Sequence, residues 1–203
     1  IEALKTKAEM VVLDATYSGP RIPLGEDWDG AIFSPHAWGG PAGLSIMAIA
    51  NPQQWRYPLP HIAPIRTPGG YSLPLLLGAA VALENFKEDS AKISSLNHYL
   101  RTQISESIPA AIVVGENSQS MPNYQTIVIP GTISEMLVRE LEASSISVDA
   151  GSACSPADLT PSHVLAAMGL PTEGSIRLTL RQVHSEADID ALVKALVEVC
   201  RNF

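Results

Sequence analysis

The composition is typical of a globular α/β protein and argues against several classes of partner. The chain has 203 residues, of which 46% are hydrophobic, and a formal net charge of −8 with a pI near 5.0. A chain of this length can bury one sizeable core or two modest ones. Its acidic balance provides no basic surface for phosphate backbones or anionic lipids. We therefore expect no nucleic-acid partner, no membrane partner and a cytoplasmic protein.

The cysteines and histidines predict neither a disulfide scaffold nor a metal centre. Cys154 and Cys200 are far apart and lack the CxxC spacing of a zinc site. No two histidines stand at metal-ligand spacing. The most apolar run, residues 73–83, is too short to cross a bilayer. We predict a reducing compartment and no metal.

Residues 1–86 carry the pattern of an incomplete α/β unit. Apolar runs bounded by Gly, Pro or Asp predict buried, parallel strands of one sheet over residues 10–14, 31–34 and 44–49. A Pro- and Gly-rich stretch then predicts a long surface loop that leads into a helix over about 72–86. Three strands with so few helices cannot cover both faces of a sheet. We therefore expect that more chain or a partner subunit completes this unit, and that the sequence is part of a longer protein.

The remainder of the chain predicts a compact α+β domain. Helical spacing over 87–108 predicts a connector helix between two domains. Strands are predicted over residues 110–114, 125–129, 146–149 and 175–180, and helices over 134–143, 162–169 and from about 185 to the chain end. The last helix begins at a capping box formed by Ser185 and Asp188.

Two residues in this second part combine into a pattern suited to chemistry on an amino acid. Cys154 stands among small residues in Gly-Ser-Ala-Cys-Ser-Pro-Ala, which suits a loop that moves a thiol between a substrate and an acceptor. A buried structural cysteine is the alternative, and it is our interpretation of Cys200 on the apolar stripe of the last helix. Arg177 lies in an apolar strand and requires an anion, either a ligand carboxylate or an intramolecular salt bridge.

These segments resemble the active-cysteine region of the cysteine desulfurases, which are fold-type-I pyridoxal-phosphate (PLP) enzymes of the class V aminotransferase superfamily. The resemblance covers nearly the whole chain and matches the C-terminal half of that family. It implies an α/β fold with the C-terminal part of the PLP-dependent transferase large domain, a mostly parallel sheet, over 1–86. It also implies a connector helix over 87–108 and a small α+β C-terminal domain, which carries the active cysteine, over 109–203.

The same resemblance implies an activity and its partners. Family members are homodimers that remove sulfur from L-cysteine, leaving alanine and a persulfide on the residue that matches Cys154. The sulfur passes to an acceptor or scaffold protein, commonly for iron–sulfur cluster assembly. Arg177 matches the arginine that binds the substrate α-carboxylate.

Several positions match the PLP contacts of the family. Asp14 ends a predicted strand where the family keeps a buried aspartate against the pyridine nitrogen, which holds the ring protonated. Tyr17 stands where family members usually have a cofactor-contacting Gln. Ser72 lies in a segment similar to the Gly-Thr-x-Pro loop, which implies a hydroxyl on the PLP phosphate of the neighbouring subunit. The alternative for Ser72 is the N-cap of the helix that follows.

The motif that departs from the family is Ser34-Pro-His-Ala37, which aligns with Ser-x-His-Lys. Ser34 and His36 match phosphate-contacting residues, but Ala37 stands where the family has the lysine that forms the Schiff base with PLP. That lysine holds the cofactor and moves protons, so Ala37 predicts turnover reduced by orders of magnitude. A catalytically impaired homologue that acts in sulfur transfer or as a binding partner is therefore the alternative hypothesis. Two further hypotheses are a close relative of the desulfurases, such as a selenocysteine lyase, and a class V relative with another substrate.

Overall fold

A computed structural model describes residues 6–53, 55–56, 59–60, 70–116, 118, 120–150 and 162–201. The chain divides into two compact units, Ile1–Glu88 and Asp89–Phe203. The helix predicted to connect two domains belongs to the second of these units. Within the ranges described, no helix is both long enough and apolar enough to cross a membrane.

The first unit contains a three-stranded sheet whose order follows the chain: β1 (Val12–Asp14), β2 (Gly30–Phe33) and β3 (Ile46–Ile49). β1 and β2 are parallel, but β3 runs antiparallel to β2. The prediction of parallel strands throughout is therefore wrong for β3. The connection from β2 to β3 carries only a four-residue 3₁₀ helix, Pro35–Trp38, so the chain turns back beside β2 instead of crossing over the sheet.

The strands of this sheet are less buried than predicted. Ala15 and Ala31 are buried, whereas the side chains of Val12, Ile32 and Met47 are 54%, 37% and 46% exposed. In its described residues this unit has only the 3₁₀ helix and one α-helix, too few to cover both faces of a sheet. The prediction of fully buried strands is therefore wrong for these residues.

Helix α1 (Leu73–Glu84) confirms the helix predicted after the Pro-rich stretch. It begins with a Leu-Pro pair, and proline suits the first turn, where its missing N–H has no intrahelical partner. The indole Nε1 of Trp38 donates to the Ala79 carbonyl oxygen at 3.1 Å, which ties the 3₁₀ helix to the middle of α1. Other apolar side chains of α1, such as Leu77, are exposed.

The second unit is an antiparallel sheet with three long helices. Its elements are α2 (Ser90–Ser107), β4 (Ile112–Val113), β5 (Tyr124–Val128), α3 (Ser134–Ala143), β6 (Asp149–Ala150), α4 (His163–Ala167), β7 (Ser175–Thr179) and α5 (Glu186–Cys200). The strand order is β4-β5-β7-β6, and every neighbouring pair is antiparallel. The capping box predicted at Ser185 is confirmed, since the Asp188 carboxylate accepts from the Ser185 amide at 2.8 Å.

Apolar side chains of α2, α3, α5 and the sheet form one core in this unit. Its fully buried members include Ile93, Leu100, Ile104, Ile127, Leu137, Leu141, Ile176 and Leu196. The apolar stripe of α2 follows from the i, i+3, i+4 spacing of its sequence and packs into this core. Burial of this surface is the main source of stability for the unit.

The strand predicted over 146–149 is displaced towards the C-terminus, to Asp149–Ala150. The residues before β6 form the C-terminal end of helix α3. Ser145 adopts the left-handed conformation with φ of 62°, and the Ile146 amide donates to the Leu141 carbonyl at 2.9 Å. This is the closing bond of a Schellman-type helix end. The apolar residues that predicted the strand, Ile146 and Val148, pack against the core before strand pairing begins.

Candidate functional site

Two predicted cofactor contacts of the first unit, Asp14 and Ser34, lie at the same edge of its sheet. Asp14 is the last residue of β1 and pairs with Ile32 of β2, and the Ala15 amide donates to the Ile32 carbonyl at 2.8 Å. Ser34 follows β2 directly, at the start of the 3₁₀ helix. The carboxyl ends of parallel strands meet at one sheet edge, where α/β proteins commonly bind ligands.

Asp14 is exposed, so the prediction of a buried carboxylate is wrong for the described structure. Its Oδ1 accepts from the Thr16 hydroxyl at 2.6 Å and from the Thr16 amide at 3.0 Å. These bonds lower the pKa of the Asp14 carboxyl below its ordinary value, because they favour the charged form. The pKa of Asp14 is therefore lowered by hydrogen bonding. A charged carboxylate is the form that would pair with a protonated pyridine nitrogen of PLP.

The 3₁₀ helix presents the residues aligned with the family lysine motif. Ser34 and Ala37 are half-buried and His36 is exposed. The Ala37 amide donates to the Ser34 carbonyl at 3.0 Å, which keeps these residues in one tight turn. The residues at this edge offer a carboxylate, a hydroxyl and an imidazole. They fit PLP held by polar contacts, while Ala37 offers no amine for covalent attachment.

The remaining two positions of the first unit are solvent-exposed. Tyr17 is 62% exposed. Ser72 occupies the N-cap position of α1, as the structural alternative predicted, but its side chain makes no capping hydrogen bond.

The part of the chain that the structure describes contains no group of three His, Cys, Asp or Glu side chains that could hold a metal ion.

Arg177 lies in the centre of β7 in the second unit. Ile176 and Leu178 on either side of it are buried in the core, so its half-buried side chain is on the other face of the sheet. Its cross-strand neighbours are Thr126 on β5 and Asp149 on β6. Among the residues described, the guanidinium has no hydrogen bond and no ion pair, so no intramolecular salt bridge is found there for Arg177.

The segment that leads to Cys154 begins beside Arg177. In the β6–β7 pairing, Asp149 is opposite Arg177 and Ala150 is opposite Ile176. Cys154 follows Ala150 by four positions and lies outside the described residues.

Cys200 has the surroundings of a structural cysteine. It is half-buried at the end of α5 and packs against the core of the second unit. Burial raises the pKa of its thiol, because a charged thiolate is poorly solvated there. This confirms its interpretation as a core residue.

Sequence reasoning missed Arg21, which contacts the site backbone in the first unit. Its Nη1 donates to the Ala37 carbonyl at 2.8 Å, and its Nε donates to the Glu88 carboxylate. Glu88 is 67 positions away along the chain, so no local spacing connects the two residues. An arginine in a Gly-Pro-Arg turn has no periodicity that predicts such a contact.

The sequence is similar to one protein family and to several individual proteins. The family described as Aminotransferase class-V matches residues 67–192. "Cysteine desulfurase IscS" of Clostridium botulinum is 36% identical over 132 residues, which cover 62% of this chain and 33% of that protein. A "Cysteine desulfurase" of Nostoc sp. is 30% identical over 97% of this chain and 52% of its own length. The chain thus spans between a third and about half of these relatives.

Solved structures share the fold. A structure titled "NIFS-LIKE PROTEIN" superposes with a TM-score of 0.76 at 25% identity, covering 97% of this chain and 54% of the other. The NifS-like protein from Rickettsia africae has a TM-score of 0.77 at 24% identity, covering 98% of this chain and 56% of the other.

Proposed function

Because the chain belongs to the class-V aminotransferase family and is similar to its cysteine desulfurases, we propose that it carries out PLP-dependent removal of sulfur from L-cysteine. One observation carries this proposal. The segment that leads to Cys154 pairs with the strand that holds Arg177, with Ala150 opposite Ile176 and Asp149 opposite Arg177. A residue suited to bind an amino acid and the segment leading to a candidate nucleophile are thus adjacent.

Arg177 binds the α-carboxylate of the substrate in this proposal. Its guanidinium is half-buried and has no partner among the described residues, and its planar set of donors matches a carboxylate in a bidentate pair. Such a contact orients L-cysteine beside β7. The segment that leads to Cys154 begins beside the same strand, with Ala150 opposite Ile176.

Cys154 is the nucleophile of the proposed reaction. Its thiolate forms a bond to the sulfur of L-cysteine while the carbon–sulfur bond of the substrate breaks. The electron pair of that bond stays on carbon, which takes up a proton and becomes the methyl group of alanine. Cys154 is left as a persulfide, whose outer sulfur an acceptor or scaffold protein removes by thiol attack.

Asp14, Ser34 and His36 hold PLP in the proposal, with Ser72 and Tyr17 as further contacts. Bound PLP supplies the electron sink that such chemistry requires. The charged Asp14 carboxylate keeps the ring nitrogen protonated, and the hydroxyl and imidazole at the 3₁₀ helix bind the phosphate. We also propose that the protein is a homodimer, because a dimer allows Ser72 to reach the site of the partner subunit. The proposed location is the cytoplasm.

Ala37 favours a second candidate, a catalytically impaired homologue that acts in sulfur transfer or as a binding partner. An alanine methyl group can neither attach the cofactor nor move a proton. Arg21 contacts Ala37 through its backbone carbonyl only, and its guanidinium is no substitute base because it stays protonated in proteins.

Alanine release from L-cysteine distinguishes the two candidates. It is measured on the full-length protein with added PLP, beside Ala37→Lys and Cys154→Ser variants, with Cys200→Ser as the matched cysteine control. Release that requires Cys154 but not a lysine at position 37 supports the desulfurase and contradicts the impaired homologue. If only the Ala37→Lys variant releases alanine, the rest of the site is competent and the alanine at position 37 disables it. If neither the unsubstituted protein nor the Ala37→Lys variant releases alanine, the proposed activity is contradicted.

A further inference from the structure

Arg21 joins the two segments that carry the proposed cofactor contacts of the first unit. Its Nη1 donates to the Ala37 carbonyl oxygen at 2.8 Å and, more weakly, to the Tyr17 carbonyl oxygen at 3.5 Å. Its Nε donates to both oxygens of the Glu88 carboxylate, at 2.8 and 2.9 Å. The loop after β1 and the 3₁₀ helix after β2 are thus connected through one guanidinium.

The surroundings of this guanidinium keep it in place. The side chains of Arg21 and Glu88 are only 14% and 11% exposed. The guanidinium carbon lies 5.2 Å from the centre of the Phe86 ring, within the range of a cation–π contact. An ion pair that is largely withdrawn from water, with a ring beside it, has a more defined geometry than a surface pair.

The 3₁₀ helix depends on outside contacts for its position. It has four residues, and the hydrogen bonds of such short helices have poor geometry. Trp38 ties its end to the Ala79 carbonyl, and Arg21 holds the Ala37 carbonyl. These two bonds fix the 3₁₀ helix to two different parts of the unit.

We infer that Arg21 is a positioning residue, which holds the 3₁₀ helix with His36 and Ala37 in place beside the loop that follows Asp14. The inference rests on the proposed function, because it assigns PLP contacts to these segments. Glu88 offsets the charge of Arg21, so Arg21 acts by geometry and not by supplying a positive field to the phosphate.

The chemistry of arginine explains why this position suits no other cation. Nε and Nη1 point to different partners at once, the Glu88 carboxylate and the Ala37 carbonyl. A lysine ammonium is a single point at the end of a flexible stem and cannot reproduce this planar arrangement. Arg21→Lys therefore keeps the charge but loses the bridge between the two segments.

Amide hydrogen exchange tests the positioning directly. The Ala37, Gly39 and Gly40 amides donate to carbonyls within the turn, so their exchange reports on its order. We expect Arg21→Lys and Arg21→Met in the full-length protein to speed their exchange about 10-fold or more, since a hydrogen bond from a charged group is lost. Lys87→Met, an exposed cation in the same unit, is the matched control and leaves exchange unchanged.

The second readout is the affinity for PLP, titrated by its absorbance and expressed per folded molecule. We expect the dissociation constant to rise about 10-fold or more in both Arg21 variants and to stay unchanged in Lys87→Met. Faster exchange with unaltered PLP affinity reduces Arg21 to a structural contact and overturns the inference. Unchanged exchange in a folded Arg21 variant also overturns it.

The two readouts separate this inference from the proposed function. If the unsubstituted protein does not bind PLP, the proposed function fails, and the titration is repeated in the Ala37→Lys background. The exchange measurement needs no cofactor and still decides whether Arg21 holds the 3₁₀ helix. If Arg21→Met does not fold, Arg21→Lys carries the test, because it retains the charge beside Glu88.

Discussion

Asp149 lies directly opposite Arg177 where β6 pairs with β7. Opposing residues of an antiparallel pair have Cα atoms about 4.5–5.5 Å apart, so the two side chains are neighbours on one face of the sheet. Even so, within the described ranges they form no ion pair. On the proposed role of Arg177, the ligand carboxylate would therefore bind beside the carboxylate of Asp149.

Replacing Arg177 with methionine should leave stability nearly unchanged but weaken ligand binding. The guanidinium has no partner in the described part of the chain, so we expect the free energy of unfolding to change by less than about 0.5 kcal/mol. On the proposed role of Arg177, binding of L-cysteine weakens about 10- to 100-fold, because a charged bidentate contact is lost. Calorimetric titration and urea unfolding measure the two effects, with exposed Arg181→Met as the control. A large loss of stability would indicate a structural role instead.

Replacing Asp149 with asparagine should strengthen carboxylate binding by Arg177. At about 6 Å in a water-like dielectric, the carboxylate repels a bound anion by about 0.7 kcal/mol, which corresponds to about threefold in affinity. We expect this gain at low ionic strength and its disappearance at about 1 M salt. The control is Glu140→Gln, an exposed carboxylate on α3, and equal gains in both variants would contradict a local effect of Asp149.

The Thr16 hydroxyl should control the pKa of Asp14. Thr16→Val removes the 2.6 Å bond to Oδ1, so we expect the pKa of Asp14 to rise towards its ordinary value, whereas Thr16→Ser keeps it low. A carboxyl whose pKa is lowered by folding stabilises the folded state above its unfolded pKa, and this stability is lost as pH falls through the folded pKa. NMR titration of the Asp14 carboxyl carbon measures the shift. An identical titration in Thr16→Val would show that the hydroxyl bond does not control it.

Replacing Ser145 with glycine should stabilise the second unit. Ser145 has a φ of 62° at the end of α3, a conformation that costs a residue with a Cβ about 1 kcal/mol and costs glycine little. We expect an increase of about 0.5–1 kcal/mol in the free energy of unfolding, measured in urea. Ser144→Gly, at a φ of −90°, is the control and should be neutral or destabilising. A destabilised Ser145→Gly protein would contradict this account of the helix end.

Two leucines should differ strongly in their contribution to stability. Leu100 on α2 is fully buried, so Leu100→Ala should cost about 2–5 kcal/mol through lost burial and a residual cavity. Leu77 on α1 is 64% exposed, and Leu77→Ala should cost less than about 1 kcal/mol. Denaturant unfolding of both variants measures the difference. A large cost for Leu77→Ala would mean that another surface covers α1 in solution.

The helices of the second unit were predictable because their apolar spacing and caps are local. The sequence predicts α3 over 134–143, and the structure has the helix at Ser134–Ala143. The strands were less predictable: β6 is displaced because Ile146 takes part in the closing turn of α3, and both Ile146 and Val148 pack against the core before strand pairing begins. In the first unit, the resemblance to the family indicated Asp14 and the Ser34 motif as candidate cofactor contacts, but it did not predict that Asp14 is exposed.

The sequence by itself determined the helices and the capping box at Ser185, because both depend on residues only a few positions apart. It also determined the family to which the chain belongs, because the family is recognised from sequence motifs. Only the tertiary structure decided that β3 runs antiparallel, that Arg177 faces Asp149, and that Arg21 holds Ala37 and Glu88. Arg21 is 16 positions away from Ala37 and 67 positions away from Glu88 along the chain. Such contacts depend on how the chain returns on itself, which local propensity and spacing do not encode.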